Sequence, residues 1–236
     1  ISLPLGMENG APIEDDLANL AYFHGRGVRY ITLAHATSNL ICDAAYGEER
    51  MWEGLSPFGR EVVAEMNRLG IMVDVTHVTD AAFYQVMKLS KAPVIASHSS
   101  CRAFTPGWER NMDDDMIRLL GEKDGVILIN FGSSFVNDEL RQEFEARWEA
   151  VETYLEEHGL ERGDEEARVF IENYRQEHPS RYADISEVLD HIDHVVKLAG
   201  VDHVGFGSDF DGLGDSLPVG LKDVSAYPNL IYGLLQ

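Results

Sequence analysis

The chain has 236 residues, 44% of them hydrophobic and 25% charged, which are ordinary values for a globular protein with a substantial core. Its 41 acidic and 19 basic side chains give a formal net charge of -22 at pH 7. This charge repels phosphate groups, so it argues against nucleic-acid partners and against docking on anionic membranes. Cys42 and Cys101 are too few for a disulfide framework, and they leave the cellular compartment open.

Six apolar segments rich in β-branched residues alternate with helical patterns, which is typical of a parallel α/β sheet. The strands are predicted in residues 1–9, 29–35, 71–77, 93–100, 125–132 and 203–212. Ser56 with Pro57, and Thr79, are predicted to begin helices, and Gly70 is predicted to end one. The first helix is predicted to carry Glu14–Asp16 in its first turn, where acidic side chains complement the helix dipole.

One region departs from this alternation. Residues 137–177 are strongly acidic and carry apolar residues at amphipathic helical spacing. We interpret them as a helical excursion, a lid or a surface hairpin, whose charges form a solvated face. The chain is therefore predicted to be a single domain over residues 1–236 with an acidic helical insertion.

Chemically competent residues stand at the ends of the predicted strands. Glu8, His77, His98 and Asp209 occupy four of these ends, and His35 occupies a fifth. A β/α barrel gathers all its strand ends around one centre, whereas a doubly wound sheet spreads them along an edge. We therefore predict an incomplete (β/α)8 TIM barrel.

Converging imidazoles and carboxylates, without thiolates, suit zinc or a similar divalent ion. In one interpretation Glu8 bridges two ions, His77 and His98 bind one of them, and Asp209 is the base or orients water. The alternative is that each histidine is only hydrogen-bonded at a strand end and that Asp209 forms an Asx turn. Spacing alone does not choose between these interpretations.

Several motifs, in order along nearly the whole chain, carry a resemblance to a known family. They are GMENG at 6–10, RYITLAH at 29–35, VDVTH at 73–77, PVIASHSS at 93–100, RNMDDD at 110–115 and HVGFGSDFDG at 203–212. Together they resemble the membrane (renal) dipeptidase family. The long acidic excursion is closer to the bacterial members than to the mammalian ones.

The resemblance implies a barrel of the amidohydrolase type whose binuclear zinc site hydrolyses dipeptides with a hydroxide that bridges the metals. It implies that Glu8 bridges two Zn²⁺ ions and that His77 and His98 complete one of them. It also implies that His35 contacts the substrate and the tetrahedral intermediate, and that Arg110 holds the terminal carboxylate of the dipeptide. Asp209 would be the general acid/base, and a homodimer is suggested.

Other interpretations stay open beside this one. Nothing in the sequence matches the family's His-x-Asp pair, which supplies the remaining zinc ligands, so we expect the six strands to be the third to eighth of the barrel. Without the resemblance, Arg110 could equally form a surface ion pair with Asp113 or Asp114. The alternative functions are another amidohydrolase-type enzyme that acts on cyclic amides, or a non-catalytic remnant that binds a metal or ligand.

Overall fold

A computed structural model describes residues 3–47 and 50–236, and its centre is a parallel sheet. The strands are β1 Leu5–Met7, β2 Val28–Thr32, β3 Met72–Asp74, β4 Ile95–Ser99, β5 Val126–Ile129 and β6 Val204–Phe206. They pair in chain order from β1 to β6, and every pair is parallel. A doubly wound sheet reverses its strand order at a switch point, whereas a β/α barrel does not. The order is therefore that of consecutive strands of a barrel, as predicted.

Four strands, β2, β3, β5 and β6, end at least three residues earlier than the sequence suggests. β3 ends at Asp74, so His77 lies on the loop beyond it, and β6 ends at Phe206, so Asp209 lies in a following turn. His98, in contrast, lies within β4. The apolar pattern continues past the last ladder pair because Val75 is buried although it follows the strand. Apolar periodicity reports burial rather than strand pairing, so it overestimates these strands.

The helices fill the intervals between the strands. They are α1 Ala18–Gly25, α2 Pro57–Leu69, α3 Asp80–Leu89, α4 Asp114–Glu122, α5 Ser133–Val136, α6 Asp138–His158, α7 Glu165–Glu177, α8 Ile185–Ala199 and α9 Tyr227–Leu234. The predicted caps are confirmed: the hydroxyls of Ser56 and Thr79 accept from the backbone N–H groups of Gly59 and Ala82. Gly70 ends α2 in the left-handed region at φ +76°.

The predicted start of the first helix is wrong. Glu14–Asp16 lie in the turn that precedes α1, and Asp16 Oδ1 accepts from the backbone N–H of Ala18 at 2.8 Å. A short acidic side chain that bonds the backbone two residues on favours a turn over a helix interior. The acidic cluster therefore precedes the helix and does not occupy its first turn.

The chain divides into two compact units. The first comprises Ile1–Asn130 and Asp190–Ser208 and contains the whole sheet. In it α1 packs on α2, α2 on α3, and α3 on α4, following the strand order. The apolar faces of α2, α3 and α4 supply much of its core, with Met66, Phe83 and Ile117 fully buried.

The second unit comprises Phe131–Leu189 and Asp209–Gln236. Helices α6 and α7 occupy the region of the predicted acidic excursion and enclose a small core of Val151, Leu155 and Ala167. The rings of Tyr154 and Phe170 stack across this core with their centroids 3.6 Å apart. The prediction of a single domain over 1–236 stays a prediction.

Among the described residues, no helix combines the length and the apolarity that a membrane crossing requires.

Candidate metal and catalytic site

Three side chains from distant parts of the sequence meet at the carboxyl ends of the strands. Glu8 directly follows β1, His77 follows β3, and His98 lies in β4. Glu8 Oε1 lies 3.0 Å from His77 Nε2 and 3.2 Å from His98 Nε2, and the two imidazole nitrogens are 2.9 Å apart. The structure thus brings together the three residues predicted as metal ligands.

A glycine in the GMENG motif lets β1 approach its neighbour at this point. A Cβ atom on Gly6 would stand 2.1 Å from Cζ of Tyr30, which lies on β2. Any side chain at position 6 would therefore collide with the tyrosine ring. The glycine sets the separation of β1 and β2 just before Glu8.

His35 borders the same cluster. Its Nε2 lies 3.6 Å from Glu8 Oε1, and its ring centroid is 4.5 Å from that of His77. Glu8, His35 and His77 can each offer one atom such that all three atoms lie within 4.8 Å of one another. The side chain of His35 is half exposed, so it can contact a bound molecule as well as the cluster.

His77 is held in a restricted conformation. Its φ of +70° lies in the left-handed region, where residues other than glycine are uncommon and cluster at functional sites. Its side chain is buried, and its Nδ1 has no hydrogen-bond partner among residues 3–47 and 50–236. Burial, together with the positive charge of Arg110, lowers the pKa of His77 to about 3. The ring is therefore neutral at pH 7, which is the form that binds metals.

Glu8 is the charged member of the cluster. The neighbouring imidazoles, first His77 and then His98, lower the pKa of its carboxyl far below the ordinary range, although partial burial opposes this. The carboxylate is therefore negative at neutral pH. It brings the negative charge that a divalent cation between the three side chains would need.

Arg110 lies behind the histidines and not on the surface. Its side chain is buried, with 3% of the residue exposed. Its Nη2 lies 3.2 Å from His77 Nε2 and donates to the carbonyl oxygen of His98 at 3.0 Å. The alternative of a surface ion pair with Asp113 or Asp114 is wrong, because those carboxylates contact Arg102 and Arg118 instead.

A buried carboxylate that sequence reasoning missed lies beneath the cluster. Asp74 is fully buried, and its two oxygens accept four hydrogen bonds. The donors are the hydroxyls of Thr32 and Ser97 and the backbone N–H groups of Thr76 and Ser97. An aspartate inside the apolar run IMVDVT was the available signal, since a buried charge is retained only where it is fully hydrogen-bonded.

Two aromatic side chains from the long loops line the same region. The ring of Tyr46 lies 5.8 Å from that of His77 and 6.1 Å from that of Trp108, and the guanidinium of Arg110 lies 5.9 Å from its centroid. Arg50 pairs with Glu109 at 2.5 Å, which ties the loop after β2 to the loop after β4. Neither Tyr46 nor Trp108 is among the site residues predicted from the sequence.

Asp209 belongs to the second unit and is described within it. Its φ of +55° lies in the left-handed region, and its carbonyl oxygen accepts from the backbone N–H of Gly212 at 3.1 Å. A Cβ atom on Gly212 would stand 2.2 Å from Asp209 Oδ1. The SDFDG sequence is thus a tight turn that leaves room for the aspartate side chain only because position 212 is glycine.

The cluster suits a zinc ion by its donor chemistry and its spacing. Zinc–nitrogen bonds of about 2.0–2.1 Å in a tetrahedral site place neighbouring ligand atoms about 3.3 Å apart. The separations of 2.9, 3.0 and 3.2 Å between the atoms of Glu8, His77 and His98 are close to that value. Cys101 takes no part, because its buried thiol contacts the backbone oxygen of His191 at 3.6 Å.

Comparison with known proteins relates the whole chain to one family. A family model described as membrane dipeptidase (peptidase family M19) matches residues 1–236. Dipeptidase tcpJ of Claviceps purpurea is 36% identical over 232 residues, which is 98% of this chain and 45% of that relative. The chain spans about half the length of the relatives it matches, 45% and 48% in two of them.

Solved structures share its fold. The probable dipeptidase PvdM from Pseudomonas aeruginosa is 28% identical, with a TM-score of 0.79 over 98% of this chain and 62% of that one. A metallo peptidase from Rhodobacter sphaeroides, liganded with a phosphinate mimic of the dipeptide L-Ala-D-Ala, is 30% identical with a TM-score of 0.75. That match covers 98% of this chain and 56% of the other.

Proposed function

Because the chain belongs to the membrane dipeptidase family, peptidase family M19, we propose that the protein is a zinc-dependent dipeptidase. The observation that carries the proposal is the meeting of Glu8 Oε1, His77 Nε2 and His98 Nε2 within 3.2 Å. Each of these atoms can donate a lone pair to a cation. The similarity to a metallo peptidase liganded with a dipeptide mimic supports the substrate class.

Glu8, His77 and His98 would hold the metal, with Glu8 as the carboxylate shared between two ions. Bound zinc would supply a hydroxide nucleophile near neutral pH, by lowering the pKa of water to about 7, and would polarise the peptide carbonyl. The neutral state of His77 and the negative charge of Glu8 prepare both side chains for this role at pH 7. The protein's own groups then position the substrate and move protons.

Arg110 would select substrates with a free carboxylate. A guanidinium can grip a carboxylate through two parallel hydrogen bonds, and its burial next to His77 keeps the charge poorly hydrated. Because this cation is fixed close to the reacting centre, only substrates whose C-terminal carboxylate lies close to the cleaved bond can contact both. Dipeptides satisfy that requirement.

His35 and Asp209 would serve the chemical steps. His35 is half exposed beside the cluster, where an imidazole N–H could donate to the developing oxyanion. Asp209 is assigned by its match to the family motif as the group that takes a proton from the nucleophile and delivers it to the leaving amine. Its left-handed backbone conformation is of the kind retained at functional sites.

The test uses the full-length protein, stripped of metal and reloaded with Zn²⁺. Hydrolysis of L-Ala-L-Ala and L-Ala-D-Ala should appear on reloading and disappear again with a chelator. The C-terminal amides of the same dipeptides are matched controls and should be poor substrates. Hydrolysis of a cyclic amide alone would favour the other amidohydrolase chemistry, and zinc binding without any turnover would favour a non-catalytic remnant. Either result would overturn the dipeptidase proposal.

A further inference from the structure

A chain of hydrogen bonds runs from the buried carboxylate of Asp74 to the ring of His98. Ser97 Oγ lies 2.6 Å from Asp74 Oδ2 on one side and 2.8 Å from His98 Nδ1 on the other. Asp74 lies on β3, and Ser97 and His98 lie on β4. The contacts therefore connect neighbouring strands beneath the proposed metal site.

The Ser97 hydroxyl donates its hydrogen bond to Asp74 and not to His98. A carboxylate only accepts, so an oxygen–oxygen distance of 2.6 Å requires the hydroxyl to donate. If the hydroxyl turned toward His98, its oxygen lone pairs would face those of the fully buried Asp74 carboxylate. A hydroxyl has only one proton, so Ser97 Oγ must act as the acceptor toward His98.

His98 must then carry its proton on Nδ1. A neutral imidazole has one N–H and one bare nitrogen, and the bond made by one nitrogen fixes the state of the other. With Nδ1–H donating to Ser97, the lone pair of Nε2 points at Glu8 Oε1, 3.2 Å away. We propose that Asp74 and Ser97 are positioning residues that fix His98 in the Nδ1–H tautomer and so prepare its Nε2 to bind the metal.

The surroundings of His77 strengthen this inference. The guanidinium of Arg110 can only donate, and its Nη2 lies 3.2 Å from His77 Nε2, which favours a bare nitrogen there as well. Two bare imidazole nitrogens and a carboxylate oxygen then converge within 3.2 Å. Lone pairs at that separation repel each other unless a cation lies among them. The hydrogen bonds made by Ser97 and Arg110 therefore favour an arrangement that a bound metal ion would stabilise.

The inference rests on the proposed metal site, but its first test does not need the metal. The imidazole nitrogen chemical shifts of ¹⁵N-histidine in the metal-free, full-length protein distinguish the two tautomers, with His98→Gln used to assign the signals. We expect Nδ1–H for His98 in the wild type. Ser97→Ala should give a mixture of tautomers, and Ser97→Thr, which keeps the hydroxyl, should restore the wild-type state.

Asp74→Asn provides a sharper variant. The amide oxygen of the substituted side chain can still accept from the backbone N–H groups of Thr76 and Ser97. The amide NH₂ group then takes the place of Oδ2, which accepts the Ser97 hydroxyl in the wild type. The hydroxyl would then accept from the amide and donate to His98, moving the imidazole proton to Nε2. Thr32→Val is the matched control, because it removes the other hydroxyl donor to Oδ2 and leaves the contact between Ser97 and His98 intact. It should keep the Nδ1–H tautomer.

Zinc affinity is the second readout, measured by competition with a chromophoric chelator. Loss of a group that orients a metal-binding histidine typically weakens metal binding about 10–100-fold, and we expect this for Ser97→Ala and Asp74→Asn. If His98 keeps the Nδ1–H tautomer in both variants, or if Thr32→Val changes it equally, the positioning role is wrong. If the wild type binds no zinc while the tautomers shift as expected, the proposed function fails, whereas the control of the His98 tautomer by Asp74 and Ser97 stands.

Discussion

Glu8 and His77 meet at 3.0 Å although 69 positions separate them in the sequence. They follow β1 and β3, which are not neighbours because β2 lies between them. Parallel strands place their carboxyl ends on one edge of a sheet, so both side chains can converge over the end of β2. The site is therefore a product of topology, and no local motif contains it.

Replacing Glu8 with glutamine should weaken zinc binding at least about 100-fold, the upper end of the loss seen when a supporting group of a metal ligand is removed. Glutamine keeps the shape of the side chain and removes the negative charge that the pKa of Glu8 maintains at neutral pH. Chelator competition measures the change. Glu61→Gln, an exposed charge loss on α2, is the matched control and should bind zinc like the wild type. Equal affinities for the two variants would remove Glu8 from the metal site.

Arg110→Met should reduce kcat/KM for a free dipeptide by at least about 30-fold, because truncating one partner of a buried, hydrogen-bonded charge pair costs about 2–5 kcal/mol. The same variant should hardly change the slow hydrolysis of the dipeptide amide, which has no carboxylate to bind. The ratio of the two substrates is the measurement, since it cancels any general damage to the site. A loss of the same size on both substrates would contradict a role in carboxylate recognition.

The cap of α3 should contribute measurably to stability. Thr79 Oγ1 accepts from the backbone N–H of Ala82 at 3.2 Å, and the residue is buried just after His77. Thr79→Ala should lower the free energy of unfolding by about 1 kcal/mol, and Thr79→Ser, which keeps the capping oxygen, should lose much less. Urea unfolding of the metal-free protein measures both. Equal losses would show that packing of the methyl group, and not the cap, stabilises the helix start.

Local chemistry explains which elements could be predicted from the sequence. Ser56, Thr79 and Gly70 mark helix ends through bonds and backbone angles that involve only their neighbours, and the structure has all three. The acidic residues before α1 were misassigned because the same side chains stabilise a helix start and an Asx turn. The ends of β2 and β3 were misplaced because burial continues beyond the ladder, at Leu33 and at Val75.

The sequence predicted which side chains meet at the site but not the hydrogen bonds that support them. Glu8, His77 and His98 were predicted because they stand at the ends of parallel strands, which bring such residues to one edge of the sheet. Asp74 was missed because its partners Thr32 and Ser97 lie on two other strands, and only the register of the sheet aligns them. The position of Arg110, at the site or on the surface, was ambiguous for a similar reason. Arg110 lies in an irregular loop, and tertiary contacts that leave no periodic pattern in the sequence determine its direction.

The titration of His77 should make the metal-free protein less stable in mild acid. Burial and the charge of Arg110 lower the pKa of His77 in the folded state to about 3, from an ordinary value of 6.5. Between these values the unfolded chain binds more protons than the native state, so the free energy of unfolding falls as the pH falls through this window. One proton corresponds to a slope of at most about 1.4 kcal/mol per pH unit.

The measurement is urea unfolding of the chelator-treated protein from pH 7 to pH 5, a range that lies above the ordinary pKa of 4.5 for Glu8. Glu8 also loses its stabilising ionised state in acid, but only below that value, so it does not enter this window. His77→Gln should reduce the slope of the free energy of unfolding against pH by up to the contribution of one proton. Glutamine has no charge to gain in the unfolded chain. Thr79→Ala is the control for reduced stability, since it lowers the whole curve and should keep the wild-type slope. If His77→Gln keeps that slope as well, the fold does not hold His77 neutral and does not prepare it to bind metal at pH 7.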